Sequence, residues 1–115
     1  MAISPAMSKT ILSRDELAER HAVILTLRRE GKLTEAEQQV RDLLRLMPDE
    51  PNSLSVLATV LMDKGRPEEA GNVLLRAREV APDNPATWAK LGRFLQTIGH
   101  WSRAEALFEM AHKRF

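Results

Sequence analysis

Apolar positions recur along this chain at helical spacing, and the pattern restarts twice. Trp88, Leu91, Gly92 and Leu95 follow i, i+3, i+4, i+7 spacing, which is one stripe of a helix. Gly99 and His100 interrupt it. Trp101, Ala104, Leu107, Phe108, Ala111 and Phe115 then trace a second stripe, about 120° wide, that predicts a second core-facing helix. Arg103, Glu105, Glu109, His112 and Lys113 take its polar side. No alternation of period two is long enough to suggest a strand.

The same helix, turn, helix pattern lies upstream at a constant offset. Gly31, Gly65 and Gly99 are each 34 residues apart, and so are Ala36, Ala70 and Ala104, and Leu27, Leu61 and Leu95. Pro48 and Pro82 share the register. Self-similarity at one fixed period marks a repeat architecture. Three units follow, about 17–50, 51–84 and 85–115, within a domain spanning 13–115. Residues 1–12, with Ser4, Pro5, Met7 and Ser8, read as a loose leader.

Local signals agree with these elements. Ser13 and Glu16 form a capping box, with Leu12 and Leu17 as its staple. Thr34 with Glu37, and Ser102 with Glu105, read as capping boxes opening the second helices of units one and three. In unit two Pro67, Glu68 and Glu69 suit a first helical turn. Between units the chain writes Pro48-Asp49-Glu50-Pro51 and Pro82-Asp83-Asn84-Pro85. The first proline ends a helix, Asp83 is expected to supply a cap oxygen, and Pro85 opens the next helix.

Composition narrows the function classes. The chain has 115 residues and is 43% hydrophobic and 29% charged, a balance that suits one globular domain with a core. It has no cysteine, so disulfides and thiolate metal sites are excluded. A net charge of +1 is small for a nucleic-acid or membrane-surface protein, so neither partner is expected. No apolar run approaches a membrane span, and the N-terminal stretch lacks a secretory pattern, which points to the cytoplasm. No catalytic constellation, metal site or cofactor motif is found. His21, His100 and His112 include no i, i+4 pair, and Glu109 with His112 is half of a di-metal motif that needs two. Trp88 and Trp101 both fall on core stripes, so they read as packing residues rather than stacking platforms. The chain is read as a non-enzyme.

At these residues the chain resembles the tetratricopeptide repeat family. Unit three carries Trp88-x2-Leu91-Gly92-x2-Leu95, then Ala104-x3-Phe108. Unit two carries Leu54-x2-Leu57-Ala58-x2-Leu61, then Ala70-x3-Leu74 and Pro82. Unit one carries Arg20-x2-Val23-Ile24-x2-Leu27, then Ala36-x3-Val40 and Pro48. Unit one departs most: Ile24 stands where Ala58 and Gly92 stand, and Leu43 where Ala77 and Ala111 stand. Those bulkier residues should hold its helices apart or demand repacking. Arg20, in the place of Trp88, suggests an end open to water.

The resemblance implies an all-α helical repeat solenoid, six helices in a short right-handed superhelix, whose first helices line a concave groove for a peptide or partner helix. The side of each first helix opposite its apolar stripe is the expected groove. Unit one presents Ala18, His21, Leu25, Arg28 and Arg29 there. Unit two presents Asn52, Ser55, Thr59, Met62 and Asp63. Unit three presents Ala86, Ala89, Lys90, Arg93, Gln96 and Thr97. Small residues occupy the centre, and the rim is basic apart from Asp63. The expected occupant is a polar or acidic segment of a protein partner. A subset of the family clamps the C-terminal carboxylate of heat-shock chaperones with lysines and asparagines. The aligned places here hold His21, Leu25, Val56, Ala86 and Lys90, of which only Lys90 fits.

The leading expectation is an adaptor or small chaperone without a cofactor. Phe94, Ile98, Met110 and Phe115 suggest a second surface, an apolar patch at the C-terminal end suited to docking or homo-oligomerisation. A self-associating structural protein, or the recognition module of a larger enzyme, are the alternatives. Small tetratricopeptide-like proteins also serve as secretion chaperones, although no residue points there specifically.

Overall fold

The structure, a computed structural model, describes residues 12–115. The leader expected over 1–12 therefore lies, apart from Leu12, outside the described residues. Six helices follow one another, and the described residues include no strand. They are α1 (Arg14–Arg29), α2 (Leu33–Leu46), α3 (Pro51–Asp63), α4 (Pro67–Val80), α5 (Pro85–Thr97) and α6 (Trp101–Arg114). Each helix packs against its sequence neighbours, and α1 also touches α3. The result is an elongated solenoid, 56 × 33 × 21 Å.

The three register glycines close the first helix of each unit in the same way. Gly31, Gly65 and Gly99 have φ of 78°, 73° and 84°, the left-handed region that an L side chain enters at a cost. Around Gly31, its N–H reaches the Arg28 carbonyl and the Lys32 N–H reaches the Leu27 carbonyl, at 3.0 and 2.9 Å. Leu61 and Leu95 take the role of Leu27 in the later units. This is a Schellman closure, and it explains why Leu and Gly repeat together four residues apart.

Helix starts follow the sequence in part. Ser13 and Glu16 make the capping box in both directions, and Leu12 and Leu17 pack against the core. Pro51, Pro67 and Pro85 each open a helix. The boxes expected at Thr34 and Ser102 do not form. The Schellman turn runs directly into the next helix, so α2 begins at Leu33 and α6 at Trp101, with Lys32 and His100 as caps that offer no side-chain oxygen. The hinge cap also differs. Asn84 accepts from the Ala86 N–H at 3.1 Å and Glu50 from the Ser53 N–H at 2.5 Å, whereas Asp83 pairs with Arg114 at 2.6 Å and Asp49 with Arg76 at 2.5 Å.

The core runs the length of the solenoid. Ile24, Val40, Leu43, Val60 and Leu61 are completely or almost completely buried. Ile24 and Leu43 are thus accommodated in unit one, where α1 and α2 pack less closely than α3 and α4. Arg20 is exposed, as expected of an end. Trp88 is buried, its indole N–H donating to the Pro82 carbonyl at 2.8 Å. Trp101 is not on the core as its stripe suggested. It is 65% exposed, because no further unit covers the start of α6 among the described residues.

Candidate functional site

Helices α1, α3 and α5 bring one side each to a shared cleft of about 370 Å³. From α5 come Lys90, Arg93, Phe94 and Thr97, at i, i+3, i+4 and i+7, so a single helical face supplies them all. From α3 come Ala58, Thr59, Met62 and Asp63, and α1 contributes Arg28. Leu74 of α4 closes the floor beneath them.

Two interactions fix the polar side of the cleft. Arg28 donates through Nε to Asp63, with a longer second contact from Nη2 at 3.4 Å. The Asp63 carboxylate stabilises the charged guanidinium and pushes the Arg28 pKa up. Lys90 donates to the Thr59 hydroxyl at 3.3 Å, and that hydroxyl donates onward to the Ser55 carbonyl at 3.1 Å. Burial, with Arg28 and Arg93 nearby, pushes the Lys90 pKa down. Three cations thus face one acid.

The apolar side depends on a glycine. Phe94 is half-buried and lies over Gly71 of α4, where a Cβ would stand 2.5 Å from the ring. Phe94 is therefore a wall of the cleft and not part of an end patch with Ile98 and Met110. Gly92 admits the Phe108 ring in the same fashion, at 2.3 Å. These close approaches are why glycine sits inside two helices despite its poor helix propensity.

Of the groove residues expected from sequence, Arg28, Thr59, Met62, Asp63, Lys90, Arg93 and Thr97 meet in this cleft. The others do not line it. His21 turns toward α3 and hydrogen-bonds through Nε2 to Ser53 at 2.9 Å, with Glu50 3.9 Å from the same nitrogen. This is not a nucleophile, base and orienting-acid relay, which needs the acid on the opposite ring nitrogen. Burial lowers the His21 pKa, opposed by the Glu50 charge. Ser55 is buried, and Arg29 bonds to Thr26 at 3.1 Å. Ala18, Leu25, Asn52, Ala86 and Ala89 are exposed, and Gln96 is half-buried, outside the cleft. The cleft also takes in Ala58 and Leu74, which the expected groove did not include, and Phe94, which the sequence had placed in the end patch. The mid-helix Gly71 was the available signal for Phe94.

At the C-terminal end Ile98, Met110 and Phe115 are exposed. Phe115 packs edge-on against Trp88, with centroids 6.1 Å apart. The described residues include no cluster of three potential metal ligands, and none of their helices is long and apolar enough to cross a membrane.

Repeating helix pairs, glycine closures and a groove lined by first helices carry a family signature. A family model described as Tetratricopeptide repeat matches residues 27–93, more than half of the chain. The chain belongs to the tetratricopeptide repeat family. No curated protein sequence matches it. Among solved structures, the Yersinia enterocolitica type III secretion translocator chaperone SycD has a TM-score of 0.82 at 18% identity, covering 99% of this chain and 84% of that one. Pseudomonas aeruginosa PcrH, in complex with the chaperone binding region of PopD, scores 0.74 at 19% identity, with coverages of 90% and 77%. The second repeat domain of Spaghetti (RPAP3), bound to the HSP90 peptide SRMEEVD, scores 0.77 at 15% identity, covering 98% and 100%. At these identities the likeness is one of fold, and this tetratricopeptide repeat chain shares it over nearly all of its described length.

Proposed function

We propose that this chain is a protein-binding module, an adaptor or small chaperone, that holds an extended segment of a partner protein in the groove formed by α1, α3 and α5. The observation that carries the reading is the cleft itself: three first helices converge on one open space that combines apolar walls with an excess of cations. Similar folds support it. SycD is also seen in complex with a peptide of the translocator YopD, and PcrH and RPAP3 with the segments named above. The cation excess favours a segment that is acidic or polar. The work requires no catalysis and no cofactor, and the proposed compartment is the cytoplasm.

The test is a capture from the source cell's lysate with wild type beside the double variant Thr59→Arg, Arg93→Glu. Circular dichroism first establishes that both are folded. A protein retained by wild type and lost by the variant is the expected result. Identical captures would overturn the groove reading. A second reading, self-association through the C-terminal end, is favoured by the exposure of Trp101 and Met110, 65% and 56%. It predicts a dimer in sedimentation that survives Arg93→Glu and dissociates with Met110→Asp.

A further inference from the structure

Eight of the sixteen lysines and arginines among the described residues are ion-paired. Arg41, Lys64 and Arg66 all share Glu37, Arg76 is paired with Asp49, and Arg114 with Asp83. Most of the others are exposed, and Arg78 lies over the Trp88 ring, but Lys90 is half-buried in the cleft. Lys90 finds only the neutral Thr59 hydroxyl, and Arg93 has no carboxylate within ion-pair distance among the described residues. Arg28 reaches into the same space but is held by Asp63. Burial and two neighbouring guanidiniums disfavour the Lys90 charge, and a bound carboxylate would relieve the repulsion. Across the cleft the chemistry changes. Ala58, Met62, Leu74 and Phe94 form an apolar wall, and the Phe94 ring lies where only a glycine at 71 leaves room. At ~30 Å³ per water, the space holds about a dozen waters, enough for a side chain on each half.

Resting on the groove reading above, we propose that the cleft recognises a two-part element in the partner segment. An acidic side chain seats on Lys90 and Arg93, and an adjacent large apolar side chain packs against Met62, Leu74 and Phe94. Asp63 is an internal competitor: it keeps Arg28 oriented while the cleft is empty, and the incoming carboxylate takes over part of that guanidinium fork. The charge deficit selects the acid, because a neutral segment leaves Lys90 and Arg93 desolvated without a partner. The apolar wall selects its neighbour, because a small side chain leaves the Phe94 face wet. A segment with both parts is preferred over one with either.

The probe is a phage-displayed library of random short peptides, selected on immobilised wild type and measured afterwards by fluorescence anisotropy. The expected peptides place Asp or Glu beside Leu, Ile, Met or Phe. Arg93→Glu weakens them roughly tenfold or more, the scale of one charge-assisted contact. Asp63→Asn tightens them, since Arg28 is released. Arg103→Glu on the outer side of α6, an equal change in net charge, leaves affinity within about twofold, as expected for a remote screened charge. Each variant is first matched to wild type by circular dichroism. Peptides that are lost with Thr59→Arg yet show no acid preference would overturn this inference and leave the groove reading standing. Equal binding by wild type and Asp63→Asn would overturn the competitor role. A selection yielding no peptide sensitive to Thr59→Arg would remove the groove reading itself.

Discussion

Gly71 and Gly92 stand where a methyl group has no room, and they answer to different functions. A Cβ at 92 would press on the Phe108 ring, which joins α6 to α5. Gly92→Ala is expected to lower unfolding stability by ~1–3 kcal/mol by urea titration, overpacking outweighing the gain in helix propensity. A Cβ at 71 would instead push the Phe94 ring toward the cleft, so Gly71→Ala is expected to weaken peptide binding even where stability changes little. His21 marks the limit of what could be read from sequence at this scale. Its helical position places it on the groove side, but its ring finds Ser53, a buried hydroxyl 32 residues away that no spacing rule singles out. Burial holds its folded pKa below 6.5, so its neutral form belongs to the native state. Stability is complete above that value and falls as pH drops through the lower folded pKa, and His21→Gln should remove that portion of the pH profile.

Among the helices, the inter-unit ties are electrostatic as well as apolar. Glu37 on α2 accepts from Lys64 and Arg66, both in the turn between α3 and α4, at 2.7 and 2.8 Å, and from Arg41 on its own helix at 2.8 Å. The Lys64 hydrogen bond leads the causes that lower its pKa to about 2. Its unfolded value is 4.5, so the contribution is full above pH 4.5 and is lost as pH falls toward 2. Glu37→Gln should cost about 2 kcal/mol at neutral pH and flatten the acid limb of the stability profile between those values. The helices themselves were legible because a 34-residue period shows their spacing three times. Their starts were less so. Thr34 and Ser102 have cap chemistry, but the glycine closures at Gly31 and Gly99 set the helix two residues earlier, and a backbone turn outranks a side-chain preference. Asp83 was misread as a cap for a related reason: Asn84 stands one residue closer to the helix, which frees Asp83 to pair with Arg114 on α6, as Glu50 frees Asp49 to pair with Arg76 on α4.

At the scale of the whole molecule, stability is passed between neighbours along a line. Helix α3 buries eight residues, while α1 buries only Ile24 and α6 only Ala104 and Leu107. Hydrogen exchange should therefore be slowest in α3 and faster in α1 and α6, and equal protection throughout would contradict this nearest-neighbour picture. The solenoid could be read from the repeat, because each unit writes its two helices again. The cleft's apolar half could not, since it depends on Phe94 meeting Gly71 across two helices, a pairing set by stacking angle and not by period. Whether the cleft faces the partner is measured most directly by site-specific photo-crosslinking with a benzophenone amino acid at Thr97, which lines the cleft, and in a second protein at Glu105 on α6, outside it. The captured partner is expected to be crosslinked from position 97 and not from position 105. Crosslinking from 105 alone would contradict it.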